Sequence, residues 1–461
     1  MRKFLDIFKE ALSSEEKSYT TGSINRAIVL LAIPMVLEMA MESLFAVVDA
    51  FFVAKVSADA IATVGLTESV ITLIYAVGIG MSTAPVAMIS RYIGAGEKEK
   101  ASKVILQAMY LALGVSLLLG IPGLIFAPDI LRLMGGSESL IASGSGYARI
   151  MFGGNIVIMM LFLLNGIFRG AGDASYAMQS LWVANIINII LDPLFIFGIG
   201  PFPEMGVQGA AVATTIGRGI GVGFQLWILL SGKSTVKFYL KTLRLDWTIL
   251  RKLADIAATG AGQFLIASAS WIFLMRIISR WGSEAISGYT IAIRLIIFTL
   301  LPSWGLANAA STLVGQNLGA KQPDRAATSV WRAANMSMVF LFSVSIVYFI
   351  AARPLIQFFT LDPLIVEYGI ISLRIFAVGY VFFAYGMVIS QAFNGAGDTR
   401  TPTLINFICF WLIEIPLGYF LAVQMGFELA GICWAITLSE TMLSVIAIWL
   451  FRRGKWKTVV V

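Results

Sequence analysis

Glu38, Glu42 and Asp49 fall inside one apolar stretch, IPMVLEMAMESLFAVVDAFF at 33–52. With Phe45 they step by four, three and four residues, which lays all four side chains along one face of a helix of 3.6 residues per turn. A second apolar run, 176–199, carries Asn185, Asn188 and Asp192 three and four residues apart, again on one face. Carboxylates and amides on such a face offer hard oxygen ligands and titratable groups in a medium of low dielectric. Two close carboxylates there cannot both stay ionised without a cation or a proton between them. The chemistry that fits is binding and release of H+ or Na+; the alternative is a static hydrogen-bonded contact between helices. Histidine is absent, and Cys409 and Cys433 both lie inside apolar runs. Proton or cation handling therefore falls to carboxylates and amides, no other cofactor is implied, and there is no disulfide framework.

The helices that carry these residues must cross a membrane. Of the 461 residues 58% are hydrophobic and 13% charged, with a mean hydropathy of +0.86, far from the balance of a soluble domain. The stretches 104–127, 150–168, 295–320, 333–352 and 375–397 contain no Asp, Glu, Lys or Arg. They lack the period-two alternation of barrel strands, so an all-α polytopic fold is expected. Weaker runs bring the total to twelve spans, near 24–52, 60–83, 104–127, 148–168, 176–199, 207–231, 250–277, 285–313, 328–351, 370–391, 402–424 and 427–451.

Within that frame Asp49 stands about six residues before the loop at Lys55, Asp192 about seven before the end of its span, and Thr214 about seven into the next. At roughly 1.5 Å per residue all three lie about 10 Å below the same surface. One layer holding Asp49, Asp192, Asn188 and Thr214, suited to H+ or Na+, follows if the three helices are neighbours. Pro34 lies 15 residues before Asp49 and removes a backbone hydrogen bond, giving the first span a candidate hinge or a fixed packing kink. Glu38, Glu42, Met35 and Met39 on the same span are candidates to line a cavity, thioether chains being adaptable. Arg294 is expected to pair with one of Glu414 and Glu440 so as to stay buried.

An internal repeat organises the chain. FRGAGD at 168–173 returns as FNGAGD at 393–398, an offset of 225 that also pairs Gly94-Ala95 with Gly319-Ala320, Gly80 with Gly305, and Gly154 with Gly379. Six spans per copy is an even number, so the copies are parallel, with an axis along the membrane normal. The expected order is a segment at 1–23, an N-lobe at 24–232, a basic linker at 233–249, a C-lobe at 250–451 and a tail at 452–461. The same offset carries Asp49 to Leu274 and Asp192 to Leu417, so the acidic pair is confined to the first half.

The net charge of +7 is not the footprint of a nucleic-acid binder. Of the 33 Lys and Arg, 24 fall in the termini and even-numbered loops against seven in the odd-numbered loops, which predicts cytoplasmic termini in a cell membrane. Residues 1–12, with Phe4, Leu5, Phe8 and Leu12 on one face, suit a short helix on the inner membrane surface, and no signal-peptide pattern precedes the first span. The GAGD turns have neither the spacing nor the preceding strand of a phosphate loop.

Twelve spans in two halves, IPMVLE followed by Asp49, RYIGAGEKEKA at 91–101, the paired FRGAGDA and FNGAGDTRTP turns, and NIINIILDPLFIFG at 185–198 resemble the multidrug and toxic compound extrusion (MATE) family, most nearly an archaeal member of its DinF branch. The resemblance covers the whole chain. It implies two six-helix lobes in a V around a central cavity, acting as a monomer that exports amphiphilic, often cationic, compounds by cation-coupled alternating access. It makes Asp49 and Asp192 the coupling carboxylates, Asn188 and Thr214 their fellow ligands, and Tyr147 and Asn165 weaker members of the N-lobe network. The chain departs from the NorM-type branch, which places coupling acids in second-half helices; Arg294 occupies the eighth span here, and no C-lobe ion site is carried across. The competing readings are a flippase for lipid-linked precursors, which would place basic residues along the cavity, and a membrane-embedded transferase, for which the chain offers no Asp-rich metal motif and no nucleophile–base pair.

Overall fold

The structure is a computed structural model that describes residues 2–13, 17–238 and 244–461; of 2–5 and 58 only the backbone is described. Eleven helical runs among these residues are long and apolar enough to cross a membrane. One of them, Trp247–Gly319, is 73 residues long. It breaks at the short turn Ser279–Trp281 and at Gly282, whose φ of 87° only glycine takes without strain, and so supplies two crossings, making twelve.

The chain packs as two units. The first comprises Met1–Ser18 and Ile33–Ala261, the second Tyr19–Ala32 and Gly262–Val461. These limits differ from those read from the repeat. The opening turns of α2 (Ile24–Val53) belong with the second unit and the first half of α10 (Trp247–Ile278) with the first. Specific bonds account for the exchange. In the second unit the Arg325 guanidinium donates to the carbonyls of Thr21 at 2.9 Å and Gly22 at 3.0 Å, and Arg332 donates to Asn25 at 3.2 Å. In the first, Gln107 donates to the carbonyl of Arg244 at 2.9 Å and accepts from the amide of Asp246 at 3.1 Å. Each third span thus holds the chain that leads into a first span.

Besides α2 and the short α1 (Arg2–Leu12), the first unit contains α3 (Ala58–Gly94), α4 (Lys98–Ile125), α5 (Ala127–Leu133), α6 (Glu138–Gly153), α7 (Asn155–Ala171), α8 (Ala174–Phe197) and α9 (Val207–Ser231). The second contains α11 (Gly282–Gly319), α12 (Pro323–Gln357), α13 (Pro363–Ala396), α14 (Arg400–Asn406), α15 (Ile415–Tyr419) and α16 (Glu428–Arg452). Several helices overrun their expected spans, because side-chain caps rather than hydropathy set their ends. The Ser57 hydroxyl accepts from the Ala60 amide at 3.0 Å and starts α3, and the Asp362 carboxylate accepts from the amides of Leu364 and Ile365 and starts α13. Around α15 the chain is π-helical, over Phe407–Glu414 and Phe420–Gln424.

The GAGD repeat has a physical basis. Gly172 and Gly397 end α7 and α13 in the left-handed region, at φ 90° and 87°, with the following Asp173 and Asp398 amides bonded back to Phe168 and Phe393. The carboxylate of Asp173 then accepts from Ser234, from the Thr235 amide and from the Thr235 hydroxyl, tying down the start of the linker. The earlier glycines of the motif allow close approach: a Cβ on Gly170 would lie 3.0 Å from Val86, and one on Gly395 would land on the carbonyl of Ser311, the residue 225 positions after Val86. Of the expected surface helix, α1 forms, but the side chains of Phe4 and Leu5 lie outside the description, as does Lys241 of the linker.

Candidate functional site

The polar face of α2 meets three other helices of the first unit, and its three carboxylates part company there. Glu38, 1% exposed, is ion-paired with Arg169 of α7, which holds both its oxygens, and accepts from Asn165 at 3.0 Å. Gln225 of α9 donates to Asn165 at 2.5 Å and closes this network. One turn on, Glu42 Oε1 lies 3.2 Å from Arg218 of α9. That guanidinium also sits over the rings of Phe45, at 5.4 Å, and Tyr75, at 5.2 Å. Two turns further, Asp49 is partly exposed and within electrostatic reach of Asp192 on α8 and of Arg218. Acidic side chains along α2 are thus neutralised by arginines at its first two polar levels, and at the third they face another carboxylate.

At that third level the Asn188 amide donates to Asp192 Oδ1 at 3.2 Å and to Thr214 Oγ1 at 3.1 Å. The depth argument therefore brings Asp192, Asn188 and Thr214 together on α8 and α9, with Asp49 opposite. The remaining oxygens of the pair, Asp192 Oδ2 and Asn188 Oδ1, are buried and take no hydrogen bond. Such oxygens can accept from a water or a protonated partner, or ligate a cation. The donor set of two carboxylates, an amide oxygen and a hydroxyl suits Na+ as readily as H+. Tyr147 of α6 is buried within electrostatic reach of both Asp49 and Asp192.

Other expected site residues fall elsewhere. Asn165 belongs to the Glu38–Arg169 network and makes no bond to Asp192, because it sits toward the other end of the spans. Asn185 donates to the carbonyl of Met41 at 3.4 Å and Trp182 to that of Leu37 at 3.3 Å, so this part of α8 fastens to the backbone of α2. Met35 and Glu38 do not line a cavity: both are fully packed, Glu38 by its ion pair, whereas Met39 and Glu42 are half-buried. Pro34 is buried in a helix that continues through it, one residue past the point where α2 passes between the two units. Arg294 is exposed and makes no ion pair among the described residues, so the expected pairing with Glu414 or Glu440 does not form. It projects on the same side of α11 as the exposed Ile297 and Phe298, away from the buried face.

Glu68 of α3, within electrostatic reach of Arg218, Asp49 and Glu42, is a further member of the first-unit cluster, as are Arg169, Arg218, Gln225 and Tyr75. The signal for two of them is present in the sequence: Glu68 and Arg218 are single charges inside apolar spans. At the place of Asp49 in the second unit, Leu274 is 1% exposed within an apolar cluster that includes Tyr289, Phe376 and Cys433. No group of three or more Cys, Asp or Glu able to hold a metal ion occurs among the described residues.

Comparison with known proteins agrees with this architecture. The MatE family model matches twice, over residues 34–194 and 261–420, one match for each copy of the repeat. The chain is 27% identical over 459 residues to the probable multidrug resistance protein NorM of Thermotoga maritima, covering 98% of this chain and 96% of that one. A solved structure of MATE in the straight conformation superposes with a TM-score of 0.87 at 25% identity, covering 95% of this chain and 98% of the other. A structure of MATE in the bent conformation gives 0.88 at 24%, covering 98% of each, which speaks for the fold. These relatives are transporters, not enzymes, and the two-lobed all-helical fold is theirs. With both copies of the repeat matched, the chain belongs to the MatE family of multi-pass membrane transporters.

Proposed function

We propose that this transporter exports amphiphilic, often cationic compounds in exchange for H+ or Na+, and that Asp49, Asp192, Asn188 and Thr214 bind the coupling ion. The observation that carries the reading is a carboxylate pair, Asp192 within electrostatic reach of Asp49, with buried, unbonded oxygens on Asp192 and Asn188 beside it. A carboxylate pair with no arginine bonded to it has to take up a cation or a proton, while Glu38 and Glu42 already have theirs. Pro34 lets α2 bend between the coupling site and the bonds that hold its opening turns, so ion binding at Asp49 can change the path of α2 and with it the space offered to substrate. Drug export draws on the Thermotoga relative, named as a probable multidrug resistance protein, and the amphiphilic, often cationic class on what the family resemblance implies. Both termini face the cytoplasm in this reading, in line with the distribution of Lys and Arg.

The test uses protein reconstituted in sealed vesicles, with a pH gradient or a Na+ gradient imposed separately and a fluorescent cationic drug followed. Uptake driven by one of these gradients and lost in Asp49→Asn and Asp192→Asn supports the assignment. Full uptake in both variants would overturn it.

A further inference from the structure

The segments that follow α9 and α16, the last spans of the two units, differ in what they meet. Along these spans the repeat runs at an offset of 222 instead of 225, and packing fixes this. Gly221 packs on Leu161 in the first unit, and Leu443 packs on Gly386, the residue 225 positions after Leu161, in the second. Gly217 lies against the carbonyl of Ala184, and Ser439 donates to the carbonyl of Cys409, 225 positions on from Ala184, at 2.6 Å. Glu440 therefore stands in the place of Arg218, and Ala267, 225 positions on, in that of Glu42. Gly454 stands in the place of Gly232; both are left-handed, at φ 74° and 70°.

After Gly454 the second unit closes on itself. Trp456 stacks on Phe451 with ring centroids 4.6 Å apart, and Lys457 pairs with Asp324, near the start of α12, at 3.0 Å. Thr235 and Glu99 hold the matching places in the first unit, and a threonine cannot make that ion pair. Instead the Asp173 carboxylate fixes the segment, accepting from Ser234 at 2.5 Å, from the Thr235 amide at 2.7 Å and from the Thr235 hydroxyl at 2.9 Å. Val236 is fully buried, and the Phe238 amide donates to the carbonyl of Leu229 at 3.2 Å. A cavity of about 310 Å³ lies between this segment and the start of α4.

Lys98 and Glu99 of α4 and Lys233 and Lys237 of the segment line the cavity, three ammonium groups against one carboxylate. Lys233 and Lys237 make no ion pair among the described residues; the Lys233 ammonium lies 4.1 Å from the ring centre of Trp227, and the Lys237 stem folds over Gly232. Glu97, the N-cap of α4, makes no capping bond and pairs with Lys100 at 2.9 Å, so the positive end of the helix dipole adds to the lysines. Trp227 and Leu230, near the end of α9, are exposed and belong to its lipid-facing surface, which puts the lysines at headgroup depth.

We infer that this cavity binds a phosphate group, carried by a membrane lipid or by a small soluble compound. Lysine ammoniums hold phosphate oxygens by charge-assisted hydrogen bonds, and three around one space match a group with several anionic oxygens. The volume is about ten times that of a water molecule, about 30 Å³, which leaves room for phosphate and waters it keeps. The wall has no large apolar side chain against which a drug-like amphiphile could be buried. Bound phosphate would bridge α4 and the segment after α9. The site lies at the opposite end of the spans from Asp49 and Asp192, and its occupation does not depend on which ion drives transport.

Acetylation by acetic anhydride, read at each lysine by mass spectrometry, tests this in the full-length protein. One arm titrates inorganic phosphate against protein in dodecyl maltoside, the other titrates phosphatidic acid into phosphatidylcholine nanodiscs, and NaCl holds ionic strength constant in both. In at least one arm labelling of Lys98, Lys233 and Lys237 should slow saturably, threefold or more, while Lys100 and Lys103 of α4, outside the cavity wall, keep their rates. Protection by phosphate alone assigns a soluble ligand, by phosphatidic acid alone a lipid headgroup, and by both a site open to either. Read at Lys98, Lys233→Gln and Lys237→Gln should each raise the half-protecting concentration at least fivefold. Glu99→Gln, which removes the opposing charge, should lower it severalfold, and it decides the matter should a lysine variant fail to fold. Absence of protection in both arms, equal slowing at Lys100 and Lys103, or a half-protecting concentration that neither lysine variant raises overturns the proposal. So does weaker protection in Glu99→Gln.

Discussion

Arg218 lies 3.2 Å from Glu42, and the places they hold are taken in the second copy of the repeat by Glu440 and Ala267. One fold thus carries an internal ion pair in one unit and, among the described residues, no ion pair at the matching place in the other.

Breaking the pair from one side strands a charge. Arg218→Met should lower the stability of the protein in detergent by about 1–3 kcal/mol, less than the roughly 3–5 kcal/mol of a fully buried pair because Glu42 is 35% exposed. The double variant Arg218→Met with Glu42→Gln should recover much of that loss. Thermal unfolding followed by tryptophan fluorescence measures both, and a double variant no more stable than Arg218→Met would show that the pair is not what stabilises this level.

The amide of Asn188 organises the proposed coupling site by donating to both Asp192 and Thr214. Asn188→Ala removes both of these bonds and should weaken ion-driven transport at least fivefold, each bond contributing about 0.5–1.5 kcal/mol, and Thr214→Val, which removes one, should weaken it less. Asp49→Asn and Asp192→Asn should abolish it. Drug uptake as a function of ion concentration separates the cases: the Asn188 and Thr214 variants should shift the half-saturating concentration and keep the maximal rate.

Replacing Pro34 restores a backbone donor inside α2 without touching the ion site. Pro34→Ala should leave thermal stability equal or higher while slowing turnover several-fold, because a straighter helix resists the bend proposed for export. Equal turnover by wild type and variant under the same gradient would assign the proline to packing alone.

The two copies of the glycine motif differ in how much room they leave. Gly395→Ala drives a methyl group into the Ser311 carbonyl and should cost more than Gly170→Ala, whose added carbon meets Val86 at 3.0 Å. Overpacking of this kind costs about 1–3 kcal/mol, which appears as a fall of several degrees in unfolding temperature. The reverse order of the two variants would contradict the packing described for α11 on α13.

The sequence by itself determined the twelve spans, the repeat and the placing of Asp192, Asn188 and Thr214 on facing positions, because helical period and membrane thickness convert residue spacing directly into face and depth. It could not separate Glu38 and Glu42 from Asp49. All three share one face, and only the packing of α7 and α9 against α2 decides that two of them meet arginines and the third meets a carboxylate. It also gave no sign that Arg294 points away from Glu414 and Glu440. Nor could a constant offset show that Glu440 stands for Arg218, since the connection into the last span is shorter than that into α9, 425–427 against 198–206, and the register shifts with it. Spacing along one helix is a local property that sequence carries; which partner lies across the gap depends on how separate helices dock, and that is a property of the tertiary structure.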